Sequence, residues 1–174
     1  MAGRITHILV PMDFNPASDA ALACAKDLAD KYGARLSLLH VVTDPKATGF
    51  WTPEVYVPAL PETRERFLRE ARERLQNALT AEERTQFSVT IDTQIGAVAE
   101  EIQDFAREQH VDLIVMGTHG RKGLAHLFLG SVAEHVLRSA PCPVLTVRAH
   151  IEAAAPVEAV TESSRAEILS LPGR

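Results

Sequence analysis

A chain of 174 residues and 19.0 kDa is long enough for one domain with a full core. Hydrophobic residues make up 46% and charged residues 24%; the net charge of −5 and isoelectric point near 5.8 argue against a general binder of nucleic acid or anionic membranes. No apolar run reaches membrane-spanning length. The opening MAGRITHILVPMDF holds a short apolar run cut by Pro11 and Asp13, without a cleavage-site pattern, and reads as a first strand rather than a signal peptide. That strand is Ile5 to Val10, stopped by Pro11. Asn15-Pro16 then supplies an N-cap and a first-turn proline. Leu22, Ala25, Leu28, Ala29 and Tyr32 recur at helical spacing until Gly33 ends the helix.

Arg35 to Val42 is the second strand. Residues 44–61 carry prolines at 45, 53, 58 and 61 and form an excursion; Phe50, Trp51 and Tyr56 within it either pin it to the domain or make a lid or partner patch. Phe67, Ala71, Leu75 and Leu79 mark a second helix. Phe87, Val89, Ile91 and Thr93 alternate as a half-buried strand does, broken by Gly96. Val98, Ile102, Phe105 and Ala106 mark a third helix, Val111 to Met116 a doubly covered strand, Val132, Val136 and Leu137 a fourth helix, and Pro143 to Val147 a last strand. This alternation over residues 5–148 implies a mainly parallel sheet with helices on both faces. Residues 149–174, rich in Ala, Glu and Ser, read as a tail that is helical in part at most. Cys24 and Cys142 lie far apart and are expected as separate buried or half-buried thiols in a reducing cytosol.

In an open parallel sheet, ligands bind outside the carboxyl ends of the strands where the strand order reverses. Pro11-Met12-Asp13 and Gly117-Thr118-His119-Gly120 stand at two such ends. The second opens a segment holding four of the nine glycines, Gly117, Gly120, Gly123 and Gly130. Such glycines serve tight turns of positive φ, or they let backbone N–H groups approach a phosphate. Neither the Walker A loop nor the dinucleotide G-x-G-x-x-G spacing is present. The spacing is Gly117-x2-Gly120-x9-Gly130-Ser131, with Gly130-Ser131 opening a helix.

This spacing resembles the ATP-binding signature of the universal stress protein family. The resemblance covers roughly residues 4–148 and includes ILVPMD, LLHVV, DLIVMGTHGRKGL and GSVAEHVLRSAPCPVLTVR in that order. It implies a single doubly wound α/β domain over residues 1–148, with five parallel strands in the order 3-2-1-4-5, and a cytoplasmic homodimer. It also implies ATP, with or without Mg; with no second acid in the glycine loop and no Ser-His-Asp or Cys-His arrangement, the chain reads as a stress-response regulator that hydrolyses ATP slowly at most. Carried over by position, Asp13 and Val41 meet the adenosine part, and Met116 and Gly117 line the pocket. Gly120, Gly130, Ser131 and Val132 take the phosphates, largely by backbone N–H, and Pro11, Met12, His119 and Ala133 complete the expected ATP site.

Plainer roles stand beside these. Ser131-x-x-Glu134 is a capping box, so Ser131 could cap its helix. Asp13 could serve the dipole of the first helix. His119 could be merely solvated, and Arg121-Lys122 could steer an anion or only face water. His40, His126 and His135 lack metal-ligand spacing. A true ATPase or nucleotidyl-transfer enzyme, and an interaction scaffold without nucleotide, are the rival functions. The last strand, Val144, Leu145, Thr146, Val147 and Arg148, is expected at a sheet edge and as the dimer contact.

Overall fold

The computed structural model describes residues 4–43, 61–118 and 130–149. Five strands, β1 (His7–Pro11), β2 (Arg35–Thr43), β3 (Thr90–Gly96), β4 (Leu113–Gly117) and β5 (Val144–Val147), form one sheet. Its order is β3-β2-β1-β4-β5 and every pairing is parallel, as expected from the sequence. In the central strand Ile8, Leu9 and Val10 are all fully buried, because a parallel strand with helices on both faces has no wet side. Ile8 and Val10 join one core cluster with Leu22 and Ala25 of α1 (Pro16–Tyr32) and Leu75 of α2 (Pro61–Asn77). Leu9 joins the other, with Ile102 and Phe105 of α4 (Val98–Glu108) and Val136 of α5 (Ser131–Ser139). Among the described residues no helix is long and apolar enough to cross a membrane.

The punctuation of α1 is as expected: Asn15 caps it reciprocally with Ser18, Pro16 opens it, and Gly33 closes it at φ 63. Other boundaries move. β1 includes Pro11, paired with Leu39; as its last residue Pro11 needs no ladder donor, and the next N–H, of Met12, bonds Leu39 O at 2.8 Å. The expected second helix ends at Asn77. Leu79 is buried in the connection before a short helix, α3 (Ala81–Gln86), started by the Thr80–Glu83 capping box. Phe87 and Val89 therefore precede β3 rather than lie in it, and Gly96 is its final residue. Phe67, expected on the inner face of α2, is 43% exposed, with the Arg66 guanidinium 5.5 Å from its ring centroid. Cys24 and Cys142 are free and half-buried. Residues 44–60 and 150–174, with the aromatic cluster and the tail, lie outside the described residues.

The amino end of the sheet is closed by a buried polar string. His7 and Ser37, each 2% exposed, meet at Nε2···Oγ 2.7 Å, and Ser37 Oγ lies 2.6 Å from Thr90 Oγ1. His7 Nδ1 stands 3.1 Å from Gln109 O and 3.0 Å from Arg35 Nη2. Burial, then Arg35, holds the His7 imidazole below its ordinary pKa, against the pull of the Gln109 carbonyl and Asp112. The folded state therefore binds this proton less readily than the unfolded chain does. Stability from this group is complete above the unfolded pKa of about 6.5 and falls as pH drops below it. Urea unfolding at pH 7 and pH 5 is expected to show the wild type weaker at pH 5, with His7→Gln less sensitive. An equally steep profile in the variant would remove His7 as the cause.

Candidate functional site

The strand order reverses between β1 and β4, which pair through Ile8↔Leu113 and Leu9↔Ile114. The described residues that follow them, Met12 to Asn15 and Thr118, stand at the carboxyl end of the sheet, where open parallel sheets bind ligands. On the β1 side Met12 is 3% exposed, and both its backbone groups are tied to β2. Its N–H bonds Leu39 O, and its carbonyl accepts from His40 Nδ1 at 2.6 Å, which fixes the proton of that ring on Nδ1. The Asp13 carboxylate accepts from Asn15 Nδ2 at 2.8 Å and Asn15 N at 3.3 Å. It thus braces the N-cap of α1. Phe14, between them, has φ 62.

On the β4 side Met116 is buried and Gly117 half-buried. A Cβ on Gly117 would stand 2.8 Å from the Ala17 carbonyl carbon, 2.9 Å from Ala17 Cβ and 3.0 Å from Ser18 N. This glycine therefore admits the first turn of α1 against the end of β4. Positive φ is not its reason: among the described glycines that conformation occurs at Gly33. Thr118 N–H continues the ladder to Val147 O at 3.0 Å, and Thr118 O accepts from Gly130 N–H at 2.7 Å. That bond sets the start of α5 beside the end of β4.

Gly130, at φ −60 and ψ 148, is the N-cap of α5, and as a glycine it supplies no side-chain cap. The expected alternative for Ser131 is thereby corrected. Ser131 is the first helical residue, one place too late to cap, and Glu134 instead reaches Arg138 at 2.6 Å. Glu134 N–H already bonds Gly130 O, so helix geometry leaves Ser131, Val132 and Ala133 N–H without intrahelical acceptors. Ala133 is buried and Val132 packs against the same core cluster; what these two offer a ligand is backbone.

Pro11, Met12, Asp13, Val41, Met116, Gly117, Gly130, Ser131, Val132 and Ala133 therefore all stand at this end of the sheet or at the helix start that abuts it. Val41 is buried near the end of β2. His119 and Gly120, with Arg121, Lys122, Gly123 and His126, lie outside the described residues. Sequence reasoning did not single out Phe14, Thr118 or Arg74 for this site, and weighed His40 only as a metal ligand. Thr118 sits within the quoted glycine segment and was within reach; a left-handed phenylalanine has no sequence signal.

Residues 4–148 match the model of the universal stress protein family. The chain is 38% identical over 150 residues to the universal stress protein YxiE of Bacillus subtilis, covering 81% of this chain and 97% of that protein. It is 36% identical over 148 residues to the universal stress protein MJ0531 of Methanocaldococcus jannaschii, covering 81% of each. Among solved structures it is similar to MJ0577 of the same archaeon, at a TM-score of 0.68 and 27% identity over 84% of this chain and 97% of that one.

Proposed function

The chain belongs to the universal stress protein family, and from that premise we propose that it is an ATP-binding regulator whose bound nucleotide sets conformation or partner choice. The observation that carries this reading is the start of α5 at the strand-order reversal, anchored by Gly130 N–H to Thr118 O and with a glycine as its N-cap. Three backbone N–H groups at the positive end of a helix suit the anionic oxygens of a triphosphate. Gly130, without a side chain, leaves room for them.

In this reading Ser131, Val132 and Ala133 hold phosphate by N–H, joined by His119 and Gly120. Asp13 and Val41 meet the adenosine part, with Pro11, Met12, Met116 and Gly117 as its surroundings. Mg²⁺, where it accompanies the nucleotide, would neutralise the phosphates. The protein works as a cytoplasmic homodimer joined through β5.

The test is ATP titration of wild type and Gly130→Val, with assay of any nucleotide that co-purifies. Valine adopts the Gly130 backbone angles without strain, so the variant is expected to fold while its isopropyl group obstructs the phosphates. Affinity should fall by at least about 100-fold. Wild-type affinity in the folded variant would put the phosphates elsewhere. Release of phosphate at about 1 s⁻¹ or faster would make the protein an enzyme, and wild type that takes no nucleotide would leave the scaffold.

A further inference from the structure

The segment between the end of β1 and the cap of α1 is more tightly held than a surface turn requires. Met12 is tied to β2 through both backbone groups. Asn15 is locked by reciprocal bonds with Ser18, its Oδ1 accepting from Ser18 N at 2.8 Å and its N–H reaching Ser18 Oγ at 3.1 Å. The chain changes direction between these fixed points at Phe14, whose φ of 62 is a left-handed conformation that bulky residues seldom take. Glycine would take it freely. An aromatic residue there needs support from its side chain.

The support comes from two side chains. His40 of β2 meets it with centroids 4.7 Å apart and planes tilted by 36°. The Arg74 guanidinium of α2 lies 3.9 Å from its centroid, a cation–π distance. Leu75, the next residue of α2, is fully buried, so this turn of the helix is anchored to the sheet. The same His40 ring that touches Phe14 holds the Met12 carbonyl. One stack therefore links β2, the turn that carries Asp13, and α2.

We propose that Phe14 is a positioning residue: held by its contacts with His40 and Arg74, it keeps the Asp13 turn in its left-handed backbone, so that α2 takes part in setting nucleotide affinity. The consequence for nucleotide rests on the reading given under the proposed function; the clamp on the turn does not. The clamp preorganises Asp13, and a site that need not be ordered on binding binds more tightly. Arg74 acts through Phe14 and need not touch the ligand.

The test compares Phe14→Ala, Phe14→Gly and Arg74→Ala with wild type. Each is read by ATP titration and by amide hydrogen exchange at Met12 and Asn15 in ligand-free protein. Alanine keeps the strain and loses the clamp, so ATP affinity should fall about tenfold and exchange at both amides should rise. Glycine relieves the strain, and Phe14→Gly should return to within about threefold of wild type. Arg74→Ala, a surface change that leaves the fold intact, should lose about threefold, the worth of an exposed cation–π contact.

A ring that merely fills space beside α1 leaves Arg74→Ala with wild-type affinity and exchange, because the difference between alanine and glycine at φ 62 follows from the backbone alone. An Arg74→Ala protein indistinguishable from wild type, or a Phe14→Ala protein that is so, overturns the proposal. Wild type that takes no ATP overturns the nucleotide reading instead, and hydrogen exchange at Met12 and Asn15 in Arg74→Ala then decides the clamp.

Discussion

Replacing Gly117 by alanine is expected to cost about 2–3 kcal/mol of folding stability, as overpacking of a closed contact does. One methyl group suffices because its nearest neighbours are backbone: the Ala17 carbonyl carbon at 2.8 Å and Ser18 N at 3.0 Å. Neither can turn aside as a side chain would. The first turn of α1 is held by the Asn15–Ser18 bonds, and a shift of β4 would strain its pairing of Met116 with Thr146 and of Gly117 with Val147. Gly96→Ala is the control. Its Cβ would meet the carboxylate end of Glu101, a flexible side chain that can swing away, and the expected change is within about 0.5 kcal/mol. Urea unfolding of the two variants measures both. A Gly117→Ala protein as stable as wild type would mean that β4 and α1 can part without loss.

Gly117 also shows where reading the sequence succeeds and where it stops. The loop glycines announced a special backbone after β4, and the helix that follows did prove to start beside the end of that strand. Yet the neighbour that requires Gly117 is Ala17, a hundred positions earlier, and no local spacing reports such a contact. The alternation of apolar runs carried the parallel sheet, because each strand's burial is written in its own residues, while its order came from the family resemblance. Asn15-Pro16 and Gly33 carried the ends of α1, because caps are local chemistry. α3 was missed because it has no buried residue and hence no apolar period; its signal was the Thr80–Glu83 spacing alone. The His7 string was missed because its partners Ser37, Thr90 and Gln109 come from three other elements. Arg74 is one arginine among several on a helix dense in Arg and Glu, and its place over Phe14 follows from packing.

If the proposed dimer pairs through β5, Thr146→Pro is expected to break it, with a loss set by the backbone of that strand. β5 is the outer strand beside β4. Pro143 O accepts from Ile114 N and Val147 O from Thr118 N, each at 3.0 Å. Alternate residues of a strand turn their backbone groups to alternate sides, so Leu145 also faces β4, while Val144, Thr146 and Arg148 turn theirs to the open edge. A second copy running antiparallel across a twofold axis near Thr146 would satisfy these groups. Leu145, 38% exposed, would be covered in the process, whereas Val144 and Val147 already pack on their own core. Proline at 146 removes an outward N–H and spares the bonds to β4, as edge strands tolerate. By symmetry two inter-copy bonds are lost, about 2–3 kcal/mol together, or roughly 30–150-fold in the dimer Kd. Sedimentation at a concentration near the wild-type Kd should then find the variant folded and monomeric. A folded variant as dimeric as the wild type there, or a wild type that stays monomeric at high concentration because the chain beyond Ala149 covers this edge, would rule the interface out.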